Sequence, residues 1–310
     1  HVRVAHTSLR HASVPSAWQH AATDERGTAW KTPDGWAWTC SGYRVHLPET
    51  RREARIVLDN NVLQTASAQP LRAHALRHAL TLLYPRVGWM PLHGAGICVP
   101  NASTPSGSVP ASASAVLLVG PSGCGKSTLT TGLLRRGWPC ISDDLLLLAP
   151  IDTPKTVPRA WSLTREIRLC PDAWQRFGYD EDAQTAAGSR APTSLFGTDA
   201  GGVPKPVLPA HRFPAPPAAH GRPVCMVLPS IVDHPTSRIE RVEATEALPS
   251  LLQQMQPPAL LTPAVAQAQL DRAAALIRTC DVVRLHAGRD LYHDPGHLAV
   301  LLDDVLHPTV

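Results

Sequence analysis

The chain has 310 residues, 44% of them hydrophobic, which is enough for one large domain or for a domain with a smaller companion. Its net charge of +4, spread over 29 basic and 25 acidic residues, is too small and too dispersed to indicate a nucleic-acid-binding surface. The seven cysteines form no CxxC pair, which argues against a zinc site and favours a reducing cytoplasm, and no apolar run reaches the roughly 20 residues that span a membrane.

The front of the chain is predicted to be rich in β-structure. Residues 36–63 hold two β-prone stretches separated by the polar PETRRE, which predicts a small antiparallel sheet. From Pro70, apolar residues recur at helical spacing until Pro85, which predicts an amphipathic helix. We therefore divide the chain into a β-rich N-terminal region, 1–88, that ends in this helix, and a second domain, 89–310. The apolar positions of the helix are Leu71, Ala75, Leu76, Ala79, Leu80 and Leu83.

Strands, helices and two long loops alternate along the second domain. WMPLHGAGICV and AVLLVG are predicted strands, and the polar stretch between them, 101–114, is a predicted flexible loop. A helix is predicted over 126–136, closed by Gly137, and WPCISDDLLLL continues as a buried strand. Residues 183–223, rich in Pro, Ala and Gly, are predicted as a second loop. A helix, the strand DVVRLHA and a closing helix that begins at Pro295 complete the chain.

A phosphate-binding loop (P-loop) follows the strand AVLLVG. The segment GPSGCGKS matches G-x-x-x-x-G-K-[ST] and lies between a predicted strand and a predicted helix, as the motif requires. Lys126 is predicted to reach the β- and γ-phosphates of ATP, and Ser127 to offer its hydroxyl to Mg²⁺. The alternative is a Gly-rich turn that only caps an ordinary helix. The predicted nucleotide contacts are Gly120, Pro121, Ser122, Gly123, Cys124, Gly125, Lys126, Ser127 and Thr128.

Candidate catalytic groups flank the P-loop on both sides. Asp143 and Asp144 end the next apolar strand, where a carboxylate is commonly delivered to the metal. We assign Asp143 as the base that accepts a proton from the attacking hydroxyl and Asp144 as a metal ligand, although these roles could be exchanged. The alternative is that one of them only caps the following turn. His93, followed by Gly94, is a third candidate, and its alternative is a hydrogen-bonded core or surface residue.

Four further charged residues are candidates for metal or phosphate contacts. Glu166 and Arg168 share one face of a predicted strand, where Glu166 would join the Mg²⁺ ligands and Arg168 would clamp a phosphate or the substrate. The alternative is a cross-strand ion pair. Lys205, in the second loop, would fold over the transferred phosphate, and Arg289 follows the strand DVVRLHA as a further clamp. The alternative for both is a solvated surface cation.

The order of LHGAGICV, VGPSGCGKSTL, GWPCISDD and REIR resembles the catalytic domain of the HPr kinase/phosphorylase family. The resemblance covers roughly residues 89–170. The glycine-rich continuation that the family has after E-I-R is replaced here by LCPD, and the first 88 residues differ from the N-terminal domain of the full-length enzyme. The chain is therefore more similar to the short homologues, some of which phosphorylate a serine of lasso-peptide precursors. The resemblance implies one active site formed by His93, Lys126, Ser127, Asp143, Asp144 and Glu166.

This resemblance implies an α/β fold of the HPr kinase and phosphoenolpyruvate carboxykinase type, in which the P-loop lies in a mixed sheet. The expected activity is an ATP- and Mg²⁺-dependent kinase that transfers the γ-phosphate to a serine of a peptide or protein, such as a lasso-peptide precursor. One alternative is a kinase that acts on a small-molecule hydroxyl. Another is a nucleotide-gated ATPase or switch without a phosphate acceptor. No nucleic-acid or membrane partner is expected, and the sequence leaves a homo-oligomer open.

Overall fold

The structure, a computed structural model, describes most of the chain in twelve segments. Within them, no helix is long and apolar enough to cross a membrane. The described segments are 1–7, 14–24, 27–50, 52–60, 68–100, 113–151, 156–163, 166–169, 171–178, 207–209, 212–255 and 262–307.

A six-stranded sheet forms the front of the molecule, in the order β1-β6-β5-β4-β3-β2. Its outer pair β1–β6 is parallel, and the other neighbours are antiparallel. Side chains alternate between buried and half-buried along β5, as expected for a sheet with one face packed against a core. The strands are β1 (Val2–Thr7), β2 (Gln19–Asp24), β3 (Gly27–Thr32), β4 (Gly35–Cys40), β5 (Tyr43–Pro48) and β6 (Ala54–Asp59).

Helix α1 (Ala68–Leu83) packs on this sheet against β1, β5 and β6. It passes into a 3₁₀ turn, Tyr84–Val87, which ends at Gly88 with a left-handed φ of 89°. The predicted helix and its end are therefore confirmed. The predicted apolar face is wrong at Leu76, which is 43% exposed, whereas the neighbouring Arg77 is 8% exposed. Polar side chains of α1 are buried because partners elsewhere in the fold bond them.

The second sheet has eight strands and is mixed, with the order β11-β10-β7-β8-β14-β16-β15 and β9 beside β7. Strands β8, β14 and β16 are parallel, whereas β7 is antiparallel to both β8 and β10. Strands β12 (Glu166–Arg168) and β13 (Val207–Pro209) form a separate ribbon. The strands of the second sheet are β7 (Met90–Cys98), β8 (Ser114–Val119), β9 (Cys140–Ser142), β10 (Leu145–Leu148), β11 (Ala160–Ser162), β14 (His220–Ile231), β15 (Arg238–Arg241) and β16 (Asp281–Ala287).

Helices cover both faces of the second sheet, and the alternation along β8 shows the two layers. Val116 and Leu118 belong to the core beneath α2 and α7, whereas Leu117 and Val119 belong to the core beneath α4 and α5. The chain is thus an α/β protein with mixed sheets and a β-rich N-terminal region. The helices of this part are α2 (Lys126–Arg135), α3 (Pro171–Arg176), α4 (Ala244–Leu252), α5 (Pro263–Thr279), α6 (Arg289–His293) and α7 (Leu298–Leu306).

The two predicted loops differ from the structure in different ways. Most of the first loop, 101–112, lies outside the described residues. The second predicted loop, 183–223, is wrong over its last part, because β13 pairs with β12 and β14 already begins at His220. Strand β13 is formed by non-local pairing, which the composition of a Pro-rich stretch does not reveal.

Candidate functional site

The P-loop connects β8 to α2 and depends on two glycines. Gly123 and Gly125 have φ values of 85° and 93°, in the left-handed region that side chains with a Cβ rarely adopt. A Cβ built on either glycine would meet nothing within 4 Å. The backbone conformation therefore requires glycine here, and the adjacent space is open to a ligand.

Lys126 lies inside the P-loop, with only 6% of its surface exposed. Its Nζ donates to the carbonyl oxygens of Gly120 at 2.6 Å and Pro121 at 2.9 Å. The Cys124 Sγ lies 3.9 Å from the same ammonium. The Lys126 ammonium is thus held at the beginning of the loop. The sequence predicts that this same side chain reaches the phosphates.

Ser127 and Thr128 follow Lys126 in the first turn of α2 and are both half-buried. The Ser127 carbonyl accepts a hydrogen bond from the Thr131 hydroxyl at 2.8 Å. Since the first amides of a helix have no intrahelical acceptor and carry partial positive charge, this end of α2 favours an anion. The loop, Lys126 and the helix end together form a cradle with the chemistry that polyphosphate binding requires.

Strand β7 lies between the strand that leads into the P-loop and the segment that carries the aspartate pair. On one side, Gly94 pairs with Val119, the residue before the loop, and on the other, His93 pairs with Leu145. Neighbouring strands lie about 4.8 Å apart, so Asp144 and the start of the P-loop lie roughly 10 Å apart across β7. His93, the aspartates and the P-loop therefore lie at one edge of the mixed sheet.

The backbone of Asp144 is fixed by two hydrogen bonds from β7. Its carbonyl oxygen accepts from the Gly94 N–H at 3.1 Å and from His93 Nδ1 at 3.0 Å. Because a carbonyl oxygen only accepts, His93 Nδ1 carries the proton, and in the neutral ring Nε2 is the acceptor. His93 Nδ1 also lies 3.4 Å from Asp144 Oδ1. His93 is thus bonded to the aspartate segment and, at 27% side-chain exposure, reaches the surface of the protein.

Asp144 also makes a buried ion pair that sequence reasoning missed. Arg77 of α1 places Nη1 3.2 Å from Asp144 Oδ2, and the two side chains are 9% and 8% exposed. The sequence gives no signal for this pair, because Arg77 lies off the predicted apolar face of α1 and only the structure shows its burial and its partner. Asp144 is therefore oriented from two sides, by β7 and by the N-terminal helix.

Asp143 lies in the bend between β9 and β10 and is 2% exposed. The bend is closed by Ser142, whose Oγ donates to the Leu145 carbonyl at 2.8 Å. Burial, followed by the nearby charge of Asp143, raises the pKa of the Cys140 thiol well above its ordinary value. Cys140 therefore stays a neutral thiol beneath the site, and the Asp143 carboxylate is shielded from bulk water.

The other predicted charged residues are less well placed or lie outside the described residues. Strand β12 exists, and Ile167 packs fully buried in a cluster with Leu134 and Cys140, but the side chains of Glu166 and Arg168 are outside the described part of the chain, as is all of Lys205. Arg289 is 65% exposed and places Nη2 2.6 Å from Asp233 Oδ1. This geometry favours the interpretation of Arg289 as a surface cation. An exposed ion pair of this kind contributes about 1 kcal/mol or less to stability.

The residues present fit a magnesium nucleotide. The cradle supplies loop amides, an ammonium and the open space beside Gly123 and Gly125, and Ser127 with the aspartates supplies the oxygen ligands that Mg²⁺ prefers. No group of three or more His, Cys, Asp or Glu side chains gathers as a metal site within the twelve described segments. Mg²⁺ retains waters and phosphate oxygens and needs only one or two protein carboxylates, so such a cluster is not required.

Comparisons with known proteins give no assignment. No protein-family model matches the chain, and a search of curated proteins returns no match. Function is therefore inferred from the geometry of the site.

Proposed function

We propose that the chain is an ATP- and Mg²⁺-dependent kinase of the HPr kinase-like type, which transfers the γ-phosphate to a serine hydroxyl of a peptide or protein. A ribosomal peptide precursor, as in lasso-peptide biosynthesis, is the candidate substrate class. The observation that carries the proposal is the position of β7, which brings a P-loop and the Asp143–Asp144 pair to one sheet edge with His93 between them.

The mixed sheet supports the proposed fold type. P-loop strand β8 has a parallel neighbour, β14, on one side and an antiparallel neighbour, β7, on the other. Purely parallel sheets have no antiparallel neighbour beside the P-loop strand. The arrangement therefore fits the expectation from the HPr kinase resemblance better than a purely parallel sheet.

The proposed mechanism depends on positioning and charge. The loop amides and Lys126 bind the phosphates and offset their charge, and Asp143 accepts the proton of the attacking serine hydroxyl. Asp144, held by His93 and Arg77, would be the carboxylate that holds Mg²⁺. When bound, Mg²⁺ offsets charge on the phosphates. Shielding of Asp143 from bulk water strengthens its electrostatic effect on the reacting hydroxyl.

Labelling with γ-labelled ATP and a panel of serine-containing peptides tests the proposal. We expect label on peptide with the wild-type chain, a loss of at least about 100-fold in turnover with Lys126→Ala, and a similar loss with Asp143→Asn. Asp143→Asn should still bind ATP within about threefold of wild type, because its role is in transfer. Phosphate release without peptide labelling would contradict the kinase and support a nucleotide-gated switch. Normal transfer by Asp143→Asn would contradict the base assignment.

A further inference from the structure

We infer that Arg77 of the N-terminal helix α1 is a positioning residue for Asp144, so that the N-terminal region supplies part of the nucleotide site. The inference rests on the proposed function, since that function places Asp144 in the site. Its starting point is the 3.2 Å contact between Arg77 Nη1 and Asp144 Oδ2. The two residues are 67 positions apart in the chain, with Arg77 on the helix that packs on the first sheet and Asp144 in a bend between two strands of the second sheet.

Burial makes this ion pair unlike a surface contact. Both side chains are less than one-tenth exposed, so each charge has lost most of its hydration. The attraction within such a pair offsets the desolvation only when the geometry is good, which makes a purely stabilising role a poor explanation. The alternative explanation for the ion pair is that Arg77 fixes the orientation of the Asp144 carboxylate. Arg77 engages Oδ2, and His93 Nδ1 donates to the Asp144 carbonyl oxygen, so the residue is held at both its carboxylate and its backbone.

The position of Arg77 is itself fixed by the N-terminal sheet. Its helical neighbours His74 and His78 are buried and both bond the hydroxyl of Tyr43 on β5, at 3.0 Å and 2.8 Å. A tyrosine hydroxyl has one proton, so it donates to one imidazole and accepts from the other. The rings of Trp38 and His78 also pack in a T-shaped arrangement, with ring centroids 5.6 Å apart.

The Tyr43 hydroxyl keeps its proton near neutral pH. Burial, with a further contribution from Cys40, raises the pKa of the Tyr43 hydroxyl far above its ordinary value. The hydroxyl therefore remains a donor as well as an acceptor. Because His74 and His78, four residues apart, share one face of α1, anchoring both fixes the rotation of the helix and with it the direction of Arg77. The N-terminal sheet thus presents a held guanidinium to Asp144.

The test compares Arg77→Met and Arg77→Lys in the full-length chain with Arg86→Met as the matched control. Arg86 lies just after α1 and donates to carbonyl oxygens of β5, so its loss perturbs the same region without touching Asp144. We expect Arg77→Met to lower kcat about 30-fold while leaving the Mg²⁺-free ATP affinity within about threefold of wild type. Arg77→Lys should recover part of kcat, and Arg86→Met should retain kcat within about twofold. An unchanged kcat in Arg77→Met would overturn the inference.

A double-mutant cycle separates positioning from stability. Arg77→Met should lower Tm by several degrees, and adding Asp144→Asn should recover most of that loss, since no carboxylate charge is then buried without its guanidinium. Because Asp144→Asn removes the proposed metal ligand itself, activity is compared for Arg77→Met alone, well below its Tm, where a purely stabilising role predicts a wild-type kcat. If Asp144→Asn does not recover Tm, Arg77 does not act through its ion pair with Asp144.

A binding measurement decides the inference even if the wild-type chain transfers no phosphate, a result that would contradict the proposed function. A fluorescent ATP analogue is titrated with and without Mg²⁺, and the ratio of the two affinities reports the metal. We expect this ratio to fall at least about threefold in Arg77→Met but not in Arg86→Met. An unchanged ratio in Arg77→Met would refute the positioning role.

Discussion

Replacing Gly94 with alanine tests how closely β7 packs against the strand that leads into the P-loop. A Cβ at Gly94 would lie 2.8 Å from the carbonyl oxygen of Leu118 and 3.5 Å from Val119 Cγ2. Ordinary Cβ contacts begin at about 3.4 Å, so the two paired strands must separate by roughly 0.6 Å. The obstructing atom belongs to the backbone, so no side-chain rotation relieves the clash.

The expected cost follows from two opposing terms. Overpacking of this kind costs about 1–3 kcal/mol, whereas alanine in place of glycine recovers about 0.4–1 kcal/mol by restricting the unfolded chain. Gly94→Ala should therefore lower the free energy of unfolding by about 1–2 kcal/mol. Because Leu118 lies two residues before Gly120, the displacement reaches the P-loop, and we expect ATP affinity to fall about three- to tenfold.

Gly96→Ala is the matched control on the same strand. Its Cβ would also meet an atom at 2.8 Å, but that atom is Leu146 Cδ2, the end of a side chain that can rotate. An unfavourable rotamer costs about 0.5–1.5 kcal/mol, which the same gain in the unfolded chain largely offsets. Urea unfolding and ATP titration measure both variants. Equal stability of Gly94→Ala and wild type, or a larger loss in Gly96→Ala, would refute the reasoning.

Two further substitutions test packing away from the P-loop. Tyr43→Phe removes the hydroxyl that His74 and His78 share and should lower stability by about 1–2 kcal/mol in urea unfolding near neutral pH. Because burial raises the pKa of Tyr43 above its ordinary 10.0, wild type should lose stability above about pH 10 as the unfolded chain ionises. The Tyr43→Phe variant has no such ionisation, so the difference in stability between wild type and Tyr43→Phe should become smaller as the pH rises. A larger difference at high pH would contradict this prediction. Gly132→Ala brings a Cβ to 2.5 Å from the Pro295 carbonyl carbon and should cost about 2–3 kcal/mol in thermal unfolding, whereas an unchanged Tm would exclude this clash.

The sequence predicts the P-loop segment well because its signals are local. Three local features follow one another between Ser114 and Gly137: a run of apolar residues, a glycine-rich turn and a helical period. In the structure they form a strand, a loop and a helix, respectively. The strand that carries His93 and the strand before Asp143 are also confirmed. Their adjacency follows from the antiparallel register of β7, which the motif resemblance implies but no spacing rule dictates.

The contacts that the sequence does not reveal are all long-range. Strands β1, β2 and β3 precede the predicted sheet; the described residues of β1 and β2 are mostly exposed, and in β3 only Ala29 and Thr32 are buried, so hydropathy gives little strand signal there. In α1, Leu76 satisfies the helical period yet is exposed, whereas Arg77 breaks the period and is buried. A hydropathy pattern places an arginine at the surface, because the pattern contains no information about an aspartate 67 residues away.

The Arg77–Asp144 pair also changes how the chain divides into units. A boundary after residue 88 follows the sequence pattern, yet it separates the guanidinium from the carboxylate that it holds. A chain that began at residue 89 would retain the P-loop, His93 and the aspartates but would bury the Asp144 charge without its cation, which is the costly half of a broken buried pair. The segment that forms the P-loop and the segment that orients Asp144 are therefore of different length, and the longer one includes the first sheet.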